Sequence, residues 1–119
     1  MDKRELIEKK INQFIDAAKK QHIFMMAGNS RSANIQAKKI RRIFAEIREI
    51  GIDAREALLE QIDNNDDAVA TLAATYSLKY NTEKSFSALE RISQKNSGII
   101  SFEASQSMLR WEEGVWKLE

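Results

Sequence analysis

Few residues in this chain could do chemistry, and their types exclude most of it. His22 is the only histidine and there is no cysteine. A His-pair zinc site, a thiolate site and a Cys–His couple are therefore ruled out, leaving His22 at most as a lone general base beside a carboxylate. The other reading of His22 is a partly exposed residue near a helix C-terminus, where a cation is mildly favoured.

Carboxylates gather in one stretch: Asp53, Glu56, Glu60, Asp63, Asp66 and Asp67. A calcium loop needs oxygen ligands at alternating positions, a central glycine and a distal glutamate. Asp63-Asn64-Asn65-Asp66-Asp67 has no central glycine and no distal glutamate, so metal binding is not expected. The stretch reads either as a solvated helix face with cap residues or as a docking face for a basic partner.

The opposite sign collects earlier. On a helix, Arg31, Lys38 and Arg42 fall within about 40° of one another, opposite Ile40 and Phe44, and Arg41 stands beside them. Such a face could grip phosphates. Glu46 and Glu49 dilute it, no aromatic residue interleaves it for base stacking, and a merely solubilising face is the competing reading. Trp111 is in helical phase with Met108 and Ala104 and is expected in the core. Trp116, beyond Gly114, either packs back over the last hairpin or anchors a partner. There is no glycine-rich phosphate loop, no nucleophile elbow and no pair of inward carboxylates. No catalytic residue, cofactor, metal or small-molecule substrate is expected.

These residues must be held by helices. Four glycines and no proline in 119 residues suit long helices and not an all-β domain. Ile7, Ile11, Phe14, Ile15 and Ala18 mark a first helix over 3–27, stopped by Gly28. Asn29 or Ser30 then caps a second, which runs to about Ile50 with Ile40, Ile43, Phe44 and Ile47 as its apolar stripe. After Gly51, Asp53 is expected to cap a third helix in a capping-box-like pair with Glu56. Leu58, Leu59 and Ile62 follow. Val69, Leu72, Ala73, Tyr76 and Tyr80 line a fourth helix and Phe86, Leu89 and Ile92 a fifth. Ile99, Ile100, Phe102, Ala104, Met108, Leu109 and Trp111 line a sixth.

The second half repeats. An offset of 30 residues aligns Leu59 with Leu89, Ile62 with Ile92, Val69 with Ile99, Leu72 with Phe102, Ala74 with Ala104, Ser77 with Ser107 and Leu78 with Met108. A period of helix, short turn and helix is the unit of a solenoid, in which no hairpin buries its face alone. The expectation is an all-α fold, a short HEAT-like α-solenoid of about six helices forming one domain. Two longer helices would occupy 1–50, and two hairpins 53–80 and 82–113.

The tail from Gly98 to Ala104, followed by Leu109, Trp111, Glu112, Gly114 and Trp116, resembles a family of small bacterial proteins labelled as a domain of unknown function, number two thousand and nineteen. Arg55-Glu56-Ala57-Leu58-Leu59, Ala68-Val69 and Ala73-Ala74 fit the same pattern, and the resemblance covers roughly residues 45–116. It implies a HEAT-like superhelix with no assigned catalytic residues. It also implies a place among immunity proteins, which neutralise toxin domains by binding them.

Charge distribution sharpens this. Residues 1–48 carry twelve basic and five acidic side chains, a net of +7. Residues 49–67 carry one basic and seven acidic, a net of −6, and the remainder balances. No run of about 18 apolar residues exists to span a membrane. The absence of cysteine and of a signal-like N-terminus suits the cytoplasm.

The function read from these features is non-catalytic protein binding. The chain would be an immunity protein whose Glu56, Glu60, Asp63, Asp66, Asp67 and Trp116 occlude a basic toxin domain, such as a nuclease. No membrane contact is expected, and nucleic acid is the disfavoured partner. The alternative is a scaffold or nucleic-acid-binding repeat protein using Arg31, Lys38, Arg41 and Arg42.

Overall fold

Cap residues set where the helices of this proline-free chain begin. The side chains of Asp2, Asn29, Asp66 and Asn81 accept hydrogen bonds from the amides of Glu5, Ser32, Ala68 and Lys84 at 2.8–3.1 Å. Each satisfies one of the orphan donors of a first helical turn. The computed structural model describes residues 1–114, and these are all-α. The six helices are α1 (Lys3–Met26), α2 (Ser30–Ile50), α3 (Ile52–Glu60), α4 (Asp67–Ser77), α5 (Thr82–Ser93) and α6 (Ile99–Glu112), and a 3-10 turn, Gln61–Asp63, follows α3. No described helix is long and apolar enough to cross a membrane.

The chain divides into two compact units, Met1–Ala57 and the residues from Leu58 onward. In the first, α1 and α2 form an antiparallel hairpin turned at Gly28, whose φ of 73° suits glycine. Ile11, Phe14, Ala17 and Ala18 of α1 are buried, as are Ala33, Ile40, Ile43, Phe44 and Ile47 of α2. The guanidinium carbons of Arg48 and Arg55 lie 5.7 and 5.5 Å from the Phe44 ring centroid, within cation–π reach.

The expected capping box at Asp53 does not form the start of α3. Gly51, at φ 118° and ψ −159°, donates back to the Ile47 carbonyl at 3.3 Å, and its own carbonyl accepts from the Arg55 amide at 3.1 Å. One glycine thus ends α2 and opens α3. Asp53 sits inside the first turn and pairs with Lys3 at 3.1 Å.

In the second unit α4 is buried around almost its whole circumference, from Ala68 to Ser77 apart from Leu72. An all-round small and apolar helix of this kind belongs in an interior. It packs against the 3-10 turn, α5 and α6. Of the positions paired by the 30-residue offset, Leu59 and Leu89, Ile62 and Ile92, Ala74 and Ala104, and Ser77 and Ser107 are all buried.

Two expected core residues of α6 are exposed instead. Phe102 is 62% accessible and Leu109 also faces outward. Ile100, Ala104 and Ser107 are the buried stripe of this helix. At 100° per residue Phe102 lies nearly opposite Ala104, so close packing of the small residues turns the phenyl ring out. Trp111 is half-buried. The fourth helix also stops earlier than Tyr80, at Ser77, where Leu78 caps it.

Candidate partner-binding surfaces

The acidic stretch is largely engaged within its own unit. Asp66 is consumed as the N-cap of α4, its amide donating in turn to Asn64 Oδ1 at 2.8 Å. Asp67 pairs with Lys95 at 3.0 Å, and Asp63 stands 4.0 Å from Arg91, whose guanidinium also donates to the Ile62 carbonyl at 3.3 Å. Asp63, Asp67, Arg91 and Lys95 line an open hollow of about 300 Å³, in which the two acids face the two cations. The hollow therefore presents mixed charge, and the net −6 of the segment is not an equally acidic surface. Glu60 and Asp63 remain the outward members. Glu56 is exposed but belongs to the first unit. Trp116 lies outside the described residues.

The cationic face of α2 is different. Arg31, Lys38, Arg41 and Arg42 are exposed, and none has an ion pair or hydrogen bond among the described residues. Glu46, which on sequence weakens this face, is drawn into the α1–α2 seam, where it accepts from Lys10 Nζ at 2.7 Å. The acid left on the outer face is Glu49, at its C-terminal end. In the middle of the cations stands Ile35, 57% exposed. It was missed on sequence, although it is four residues from Arg31 and three from Lys38, out of phase with the core stripe.

His22 is half-buried, and its Nδ1 has no hydrogen-bond partner among the described residues. Those residues include no group of three or more His, Asp or Glu able to hold a metal ion. The buried hydroxyls of Thr71 and Ser85 also have no partner among the described residues, whereas others tie helices together. Thr75 donates to the Thr71 carbonyl at 2.8 Å, which leaves the hydroxyl of Ser107, 3.0 Å away on α6, to donate to Thr75. Ser101 likewise donates to the Ile92 carbonyl at 2.9 Å and ties α6 to α5.

No family model matches the chain, and no curated protein does. Among solved structures it is similar to the protein RPA1889 from Rhodopseudomonas palustris CGA009, at a TM-score of 0.86 and 19% identity, covering 98% of each chain. At that identity the likeness is one of fold.

Proposed function

We propose that this chain is a non-catalytic interaction module built of HEAT-like helical hairpins, and that it binds an anionic surface with the outer face of α2. The observation that carries the reading is the contrast between the two charged segments. The acids Asp53 and Asp67 are paired with cations of their own unit and Asp66 is spent on a cap, while Arg31, Lys38, Arg41 and Arg42 face solvent unpaired among the described residues. Unpaired cations on one rigid helix give a partner of opposite sign both steering and register. The HEAT-like assignment is supported by shared burial at four of the seven offset pairs, Leu59 with Leu89, Ile62 with Ile92, Ala74 with Ala104 and Ser77 with Ser107.

The test is a titration of the full chain with poly-glutamate. Binding should weaken steeply between about 50 mM and about 200 mM salt and vanish when Arg31, Lys38, Arg41 and Arg42 are all changed to Glu. A reversed variant that binds as well as the parent sinks the reading.

A second reading keeps the immunity role, with Glu60 and Asp63 meeting the basic cleft of a toxin. The exposure of the Asp63 side chain, 81%, favours it. Co-expression with a toxin encoded beside this chain would show rescue, and Glu60→Lys with Asp63→Lys should remove that rescue.

A further inference from the structure

We infer that the partner of the α2 face is an acidic amphipathic helix of another protein, seated along Arg31, Ile35, Lys38, Arg42 and Ala45. The inference rests on the proposed role of that face and names its occupant. These five residues follow one another at steps of four, three, four and three, and all five are exposed. They form one straight stripe along α2, a line that a neighbouring helix can follow. It lies on the side of α2 opposite Ile40 and Ile47, so α2 has one face buried against α1 and a second exposed among the described residues.

The chemistry of the exposed stripe selects the occupant. Arg31, Lys38 and Arg42 call for carboxylates. Ile35 and Ala45 call for apolar side chains, which a phosphate backbone lacks. A nucleic acid laid along this face would leave Ile35 against charged or solvated groups, and α2 offers no outward aromatic on which a base could stack. A helix with acids flanking an apolar stripe matches both kinds of residue, as in recognition of amphipathic helices by grooves and faces. The stripe from Arg31 to Ala45 covers about 21 Å at 1.5 Å per residue, so a partner helix of about 15 residues spans it.

The experiment is fluorescence anisotropy on the full chain with three labelled probes. One is a designed 18-residue helix with leucine along one stripe and glutamate flanking it, the second is its scrambled sequence, and the third is a single-stranded oligonucleotide. The designed helix should bind more tightly than the other two. Ile35→Ala, at an exposed position in the best helix former, should lower its affinity roughly tenfold without moving the weak oligonucleotide signal. Reversal of the four cations should abolish all binding.

If the scrambled peptide binds equally well, or Ile35→Ala changes nothing, the acidic-helix partner is overturned while the anionic-surface reading stands. Tighter binding of the oligonucleotide than of the designed helix also overturns it and makes α2 a nucleic-acid face. If charge reversal leaves every probe bound, both readings fall.

Discussion

Lys10 Nζ lies 2.7 Å from Glu46 Oε2, joining α1 to α2 across 36 residues of sequence, with the two side chains 16% and 39% exposed. The pair has two consequences. It fixes the register of the hairpin, and it withdraws an acid from the cationic face of α2. A half-buried pair is worth less as a net bond than as a penalty avoided, because a lone partner stays desolvated. Lys10→Ala is therefore expected to cost about 1 kcal/mol. Lys10→Ala combined with Glu46→Ala should cost less than the two singles added, by about 0.5–1 kcal/mol in a urea-denaturation double-mutant cycle.

Gly51 is the joint of α2 and α3, in a backbone region that is essentially glycine's alone. No neighbouring atom would obstruct a methyl group there, so Gly51→Ala isolates the backbone term. It should destabilise by about 1–3 kcal/mol. Gly28→Asn, at a left-handed φ of 73° that asparagine tolerates, should cost clearly less. Thermal melts of the two variants check the order.

The hydroxyl pair between α4 and α6 gives a third expectation. Thr75→Val leaves Ser107, itself buried, without the partner it holds at 3.0 Å, at a cost of about 1 kcal/mol or somewhat more. Adding Ser107→Ala should restore part of that loss, since two apolar groups are better than one stranded hydroxyl. Equilibrium unfolding of the single and double variants would contradict this account if the losses simply added.

The exposed position of Phe102 predicts tolerance where sequence suggested core. Phe102→Ser should change stability by less than about 0.5 kcal/mol, while Ile100→Ala on the buried stripe should cost about 2 kcal/mol or more. Denaturant midpoints of the two would reverse in order if the ring were core.

Helix positions were legible because caps and glycines are local signals. Gly28 and Asn29 mark ends that the backbone then uses. The phase of α6 was not legible, because its apolar residues circle the helix. Ile99, Ile100, Phe102, Met108 and Leu109 cannot all face inward, and it is Ala104 and Ser107, the small residues, that decide. Asp53 misled for a related reason: a capping-box pattern says nothing of a glycine two residues earlier that supplies the helix start itself. Charge tallies placed the acidic and basic segments correctly along the chain. They could not show which charges were paired, since Lys95 and Arg91 lie 28 residues from Asp67 and Asp63 in sequence. Ile35 was legible in principle from its phase beside Arg31 and Lys38, yet one apolar residue among cations carries weight only once it is seen to be exposed.

Amide chemical-shift mapping of the full chain with the designed acidic helix tests the central claim most directly. The account predicts that the largest shifts fall on α2 between Arg31 and Ala45, with Glu60, Asp63, Phe102 and Leu109 unmoved. Shifts centred on Glu60 and Asp63, or on Phe102 and Leu109, with α2 silent would contradict it.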